Sequence, residues 1–277
     1  MIHVGSFQGP SVRCDIPAAL RKVDEILAEA ATAGLDIVQF PELYLCGYDI
    51  QPDETAKYAV SLSGGEIGTL KELAAKHRVA VGIGYAEVEG GAVYNSCCVL
   101  DAAGKVTLNY RKTHLWDPTM EGEKLVFRPG GNLPVAELHL PRSGISITVG
   151  VLICFDCEFP EPARVLALNG AQVILISTAI CDDATPRLMI PCRAAENHVA
   201  IVYSNLMGRN CTFPAKVWFC GQSAIIAPNG DELARAARTE SGLISATVDR
   251  SRYTEHKMRN DYIAERRPEL YSIMNNI

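Results

Sequence analysis

The order of apolar and polar positions divides the chain into short strand-like runs and longer helical stretches. IHVGSFQ opens as a strand, and Ile16, Leu20, Val23 and Leu27 then recur at helical spacing. Asp15 stands where a helix N-cap is expected and Gly34 where the helix should stop. DIVQFPE follows as a buried strand that ends at a proline, and Ile67, Leu70 and Ala74 mark a second helix. VAVGIGYAEV, AVYNSCCVLD and KVTLNYRKTHL are three strand candidates joined by glycine-containing turns.

The second half has the same rhythm. ISITVGVLICFD reads as a strand, Pro160 to Leu168 as a helix, and AQVILIST as a strand. A helix is expected from about Arg187 to His198, then strands in VAIVYSNLMG, CGQSAIIAP and LISATVDR. With no Ser/Gly linker, low-complexity tract or overt sequence repeat, residues 1–277 read as one α/β domain. Two sheets with helices outside them would bury the apolar faces of both element types.

Composition narrows the function classes. Hydrophobic residues make up 48% of the 277, enough for a large core. The balance of 26 basic against 32 acidic residues, without a Lys/Arg run, argues against a nucleic-acid or anionic-membrane partner. The apolar stretches are strand-length, so no membrane span is expected. MIHVGSFQGP lacks the form of a secretory signal, and the ten cysteines then read as reduced thiols of a cytoplasmic protein.

Three ionisable residues end strand-like runs. Cys154 follows ITVGVLI and precedes FDCEFPEPAR, the entry to a helix whose first N–H groups would lower the thiol's pKa. Taken alone, it competes with the reading of an inert buried cysteine. Glu42, after DIVQF, is either a general base or a solvated strand end. Lys112, in NYRKTHLW, is either an oxyanion partner or an ordinary surface lysine.

Other signals are weaker. Cys154 and Cys157 form a C-x-x-C, but the chain shows neither a thioredoxin-like context nor a second ligand pair for zinc. A regulatory disulfide between these two stays open. Cys97, Cys98, Cys181, Cys192, Cys211 and Cys220 have no metal spacing. His114 has no evident Asp partner and reads as a structural neighbour of the lysine. Gly82 and Gly84 resemble part of a phosphate loop but lie inside a strand pattern.

In combination, FPELYLCGY, YRKTHLW and GVLICFDCEFPE resemble the three signature segments of the nitrilase (carbon–nitrogen hydrolase) superfamily. RAAENHVAIVYSN, FCGQSAIIAPNG and RRPELY extend the resemblance over nearly the whole chain. It implies a four-layer α-β-β-α sandwich and a Glu42–Lys112–Cys154 triad acting through a thioester. Phe155 N–H would share the oxyanion with Lys112. Glu123, or Glu121 if the alignment slips, would match a second family glutamate. Neither metal nor organic cofactor is implied.

The implied substrate is a small carboxamide, with N-carbamoyl compounds or acyl transfer to an amine as alternatives. A glutaminase of the NAD-synthetase kind would need a synthetase domain, a lipoprotein acyltransferase would need membrane spans, and nitrilases tend to be longer. The segments look most like the aliphatic and R-stereoselective amidase branch. Tyr48, Glu158, Thr178 and Ala179 are candidate substrate contacts, with Asp182 and Asp183 as rim candidates. Glu158 would favour a cationic substrate, or else serves as a helix-start acid. The resemblance also implies a homo-oligomer, with the tail from about residue 251 packing on a partner.

Overall fold

The computed structural model describes residues 1–48, 52–117, 122–209 and 218–271. Glu121 and Cys211 lie outside the described residues. The first half contains β1 (Ile2–Gln8), α1 (Ile16–Thr32), β2 (Ile37–Gln39), α2 (Pro52–Tyr58), α3 (Gly65–His77), β3 (Ala80–Glu89), β4 (Ala92–Leu100) and β5 (Val106–Arg111). The second contains β6 (Val135–Leu140), β7 (Ile145–Ile153), α4 (Pro160–Leu168), β8 (Val173–Thr178), α5 (Ile190–Asn197) and β9 (Ala200–Asn205). Then come β10 (Met207–Arg209), β11 (Trp218–Cys220), β12 (Ala224–Ile226), β13 (Glu232–Arg235), β14 (Gly242–Val248) and α6 (Ser251–Arg259).

Local signals worked where they had a local cause. The Asp15 carboxylate accepts the Ala18 N–H at 2.9 Å and so caps α1. Gly34, at φ 72°, follows the helix end in the left-handed region. The run CGQSAIIAP is broken into β11 and β12 because Gly221 and Gln222 both take positive φ, 60° and 57°. The helix expected from about 187 is α5, preceded by a wider turn over Thr185–Met189 and ended by His198 at φ 54°. VAELHL, too short and too polar to stand out, forms the edge strand β6 by burying Leu138 and Leu140.

Two six-stranded sheets result, ordered β14-β1-β2-β3-β4-β5 and β13-β12-β9-β8-β7-β6. Each has three parallel strands at its heart, β1-β2-β3 and β7-β8-β9, flanked by antiparallel ones. Period-2 alternation assigns the faces. Val38 and Val81 pack with Val23, Leu27, Ile67 and Leu70 of α1 and α3, while Ile37 and Ala80 join the core shared with the second sheet. Ala163 and Leu166 of α4, with Ile190 and Ala194 of α5, join the second sheet's core. The layers are α-β-β-α. Strands covered on both faces explain the near-continuous apolar runs.

At the tail, the Tyr253 hydroxyl of α6 donates to Gln172 O at 2.8 Å, while Met258 and Leu270 are exposed. Among the described residues no helix is long and apolar enough to cross a membrane.

Gly84 has a packing role. A Cβ there would come within 2.5 Å of Leu43 N, 2.6 Å of Pro41 O and 2.9 Å of the Glu42 Cα. The glycine lets the main chain carrying Glu42 lie directly on β3. Gly84→Ala should therefore destabilise the protein by about 1–3 kcal/mol through overpacking. Gly68→Ala in α3, where a Cβ meets nothing within 4 Å, should be neutral or stabilising by ~1 kcal/mol. Denaturant titration of both variants checks the contrast.

Candidate active site

Strand ends from both sheets meet at one point. Glu42 lies three residues beyond the end of β2, Lys112 directly follows β5, and Asn95 sits within β4. From the other sheet, Cys154 directly follows β7 and Ala179 follows β8. Glu42 and Lys112 are fully buried, Cys154 is 7% exposed and Glu123 also 7%. This is the carboxyl end of the parallel strands, where open α/β sheets leave a crevice.

Lys112 organises the charges. Its Nζ donates to Glu42 Oε1 at 2.8 Å and to Glu123 Oε1 at 2.7 Å. Asn95 Nδ2 donates to the same two oxygens, at 2.8 and 3.3 Å. The Tyr48 hydroxyl donates to Glu123 Oε1 at 3.3 Å and the Trp116 N–H to Glu123 Oε2 at 2.8 Å. Glu123, on a single helical turn over Glu123–Leu125, is thus anchored through both oxygens. Glu42 is anchored through one only, and its buried Oε2 has no hydrogen-bond partner among the described residues.

Burial pushes the Glu42 carboxyl up to about 7; the Lys112 ammonium opposes this and the Glu123 charge adds to it. For Lys112, burial favours the neutral amine, but Glu123 and Glu42 outweigh it and hold the ammonium well above the usual lysine range. The cluster therefore keeps a cation in place while leaving one carboxyl able to titrate near neutrality.

The Cys154 turn corrects one expectation. The residues after β7 form a tight turn, Cys154–Glu158, and the α-helix begins only at Pro160. Cys154 itself takes φ 47°, a left-handed conformation that costs a non-glycine residue about 1–2 kcal/mol. Burial raises its thiol pKa well above the ordinary value, the Glu42 and Glu123 charges add to this, and Lys112 and the Ala179 N–H oppose it. The expected depression is therefore not found: burial and the two carboxylate charges outweigh Lys112 and the Ala179 N–H.

The turn is braced from two sides. The Asp156 carboxylate accepts the Ile153 N–H at 3.0 Å, and Arg193 donates to Cys157 O at 3.2 Å and Glu158 O at 2.9 Å. His114 does have an acidic partner: its Nδ1 lies 2.9 Å from Asp156 Oδ1, which holds the imidazole above its ordinary pKa. The pair is separated by 42 positions in the chain, so no local pattern announced it. Cys157, within the turn, is fully buried, and both it and Cys154 are free thiols.

Among the candidate substrate contacts, Tyr48 joins the cluster and Ala179 reaches the Cys154 sulfur. Phe155 is half-buried, its ring edge-on to Phe159 at 4.9 Å. Thr178 turns away: its hydroxyl donates to Ser204 O and Asn205 Oδ1, both at 3.0 Å, because a buried hydroxyl needs acceptors. What it turns toward the site is its carbonyl, which accepts the Glu42 N–H at 3.4 Å. Asp183 is likewise committed, to Gln222 at 2.6 Å and to Arg238. Glu158 is half-buried, and burial with the nearby Asp182 charge raises its carboxyl pKa.

Asn95, Asp156, Arg193 and Asn205 were missed. Asn205 accepts the Ile180 N–H at 2.8 Å and donates to Ile180 O at 3.1 Å, fixing the segment that holds Ala179. For Asn95, Asp156 and Asn205 the one signal was polarity beside or inside apolar runs, in AVYNSCCVL, LICFDCEF and IVYSN; Arg193, in IPCRAAEN, had no such signal.

A cysteine, a buried lysine and two carboxylates gathered at the strand ends of an α-β-β-α sandwich define a hydrolase acting on non-peptide C–N bonds. Residues 3–258 match the carbon–nitrogen hydrolase family, and the chain belongs to it. An (R)-stereoselective amidase of Pseudomonas sp is 33% identical over 243 residues, covering 87% of this chain and 83% of the relative. A citrullinase of Francisella tularensis is 32% identical over 266 residues, covering 91% of each. The NitN amidase of Nesterenkonia sp. AN1 superposes with TM-score 0.83 at 26% identity, over 99% of this chain and 100% of the other. In a structure of a glutamate-to-glutamine mutant of that amidase, acrylamide has undergone Michael addition at the active-site cysteine.

If Lys112 neutralises the two carboxylates, Lys112→Met should destabilise the fold by about 3–5 kcal/mol, since it strands buried charge. Adding Glu123→Gln should recover part of that loss. Urea unfolding of the single and double variants checks the coupling; simple additivity would contradict it.

Proposed function

We propose that the protein is an amidase that hydrolyses a small carboxamide to the acid and ammonia through a thioester on Cys154. The observation that carries the reading is Glu42: one oxygen fixed by Lys112 and Asn95, the other buried without a partner among the described residues, and a carboxyl that burial raises to about 7. Such a group can both take and return a proton near neutrality. The named activities of the amidase relatives, and the modified cysteine of the Nesterenkonia enzyme, support it.

Glu42 takes the Cys154 proton as the sulfur attacks the carbonyl carbon. The resulting oxyanion is held by the Lys112 ammonium and the Phe155 N–H. Glu42 then gives the proton to the departing nitrogen, ammonia leaves and a thioester remains. A water molecule loses a proton to Glu42 and attacks the thioester. The acid departs as sulfur leaves, and the proton returns to Cys154. Glu123 fixes Lys112 throughout, and Tyr48 and Ala179 border the substrate. We further infer a cytoplasmic homo-oligomer; the nine described cysteines are free thiols and the tail presents exposed Met258 and Leu270.

Ammonia release from a panel of aliphatic amides, amino-acid amides and N-carbamoyl compounds tests this. Wild type should act on carboxamides, and Cys154→Ala should lose the activity. Because the base works ionised, kcat/KM should fall as pH drops through about 7, the value toward which burial raises Glu42. A Cys154→Ala protein as active as wild type would sink the proposal.

A second reading, an N-carbamoyl amine hydrolase, is favoured by the acidic pair Glu158 and Asp182 and by the citrullinase relative. Glu158 would then border the pocket and attract an amino group. Glu158→Gln should raise KM for amine-bearing substrates several-fold more than for neutral amides, and equal effects on both would remove this reading.

A further inference from the structure

One fully buried carboxylate gathers five hydrogen bonds from two separate parts of the chain. Asp156 Oδ2 accepts the Tyr110 hydroxyl at 2.8 Å and the Ile153 N–H at 3.0 Å. Asp156 Oδ1 accepts the Thr113 hydroxyl, the His114 N–H and the His114 ring, each at 2.9 Å. Tyr110, Thr113 and His114 bracket Lys112 at the end of β5. Ile153 immediately precedes Cys154 at the end of β7. The donors therefore come from opposite sheets, and each set adjoins one member of the reacting pair.

We propose that Asp156 is a positioning residue that fixes the Lys112 ammonium relative to the Cys154 sulfur, with His114 as its charge partner. The inference rests on the amidase reading of the site. The Cys154 backbone needs such a hold, because its φ of 47° is unfavourable without surrounding restraint. The bond from Ile153 N restrains the residue just before it. His114 continues the support outward: its ring stacks on Phe159 at 4.5 Å and 22°, and Phe159 packs edge-on against Phe155 at 4.9 Å. The residue whose N–H is assigned to the oxyanion is thus held by the same assembly.

Asparagine cannot replace this carboxylate. Each Asp156 oxygen accepts a main-chain N–H, from Ile153 on one side and His114 on the other. A carboxylate accepts on both sides, whereas an amide presents N–H groups on one of them. Asp156→Asn must therefore turn donor against donor at one end of the clamp. Buried polar supports of this kind act on rate through the geometry of the groups they hold.

The test measures kcat and KM for ammonia release from propionamide and from N-carbamoylputrescine, with thermal melting of each variant. In Asp156→Asn, kcat should fall about 10–100-fold while KM stays within a few-fold. Wild-type kcat in a folded Asp156→Asn protein, or a change confined to KM, would overturn the proposal. Should that variant fail to fold, Tyr110→Phe and Thr113→Val decide. Each removes one donor from the Lys112 side and should lower kcat with little change in KM; wild-type kcat in both would overturn the proposal. The underlying reading fails separately, if wild type releases ammonia from neither compound or Cys154→Ala retains activity.

Discussion

The site depends on an ammonium taken out of water between two carboxylates. Burying Lys112 costs several kcal/mol, and the same holds for each of its partners. The cost is offset only because Nζ reaches Glu42 and Glu123 at 2.8 and 2.7 Å and Asn95 bonds the same oxygens. Burial nevertheless dominates the acids: it raises Glu42 to about 7 against the pull of Lys112, with the Glu123 charge adding to it. Burial, with the two carboxylate charges, likewise raises the Cys154 thiol.

The sandwich makes this arrangement possible. Glu42, Asn95 and Lys112 belong to one sheet and Cys154 and Ala179 to the other, so the constellation forms only when the sheets pack. The close approach at Gly84 sets the Glu42 main chain on β3, and the Glu42 N–H reaches across to Thr178 O at 3.4 Å. Around Cys154 the hold is polar: Asp156 in front, Arg193 on the carbonyls behind, and Asn205 on the neighbouring loop. Each of these buried side chains is hydrogen-bonded to main-chain groups of the segment it holds, as buried polar groups must be.

The sequence by itself determined most element types and their order. It also determined which cysteine, lysine and first glutamate stand at strand ends. Hydrophobic periodicity, a cap at Asp15 and the apolar run before Cys154 are local causes with local effects. Short or edge elements such as β6 were missed because alternation over a few residues carries little signal. The tertiary structure alone decided the direction in which the thiol's pKa moves, the partner of His114, the turn of the Thr178 hydroxyl away from the site and the recruitment of Asn95 and Asp156. The physical reason is distance along the chain. Glu42 and Lys112 are 70 positions apart and His114 and Asp156 are 42 apart. Burial and hydrogen bonding are set by what folding brings into contact.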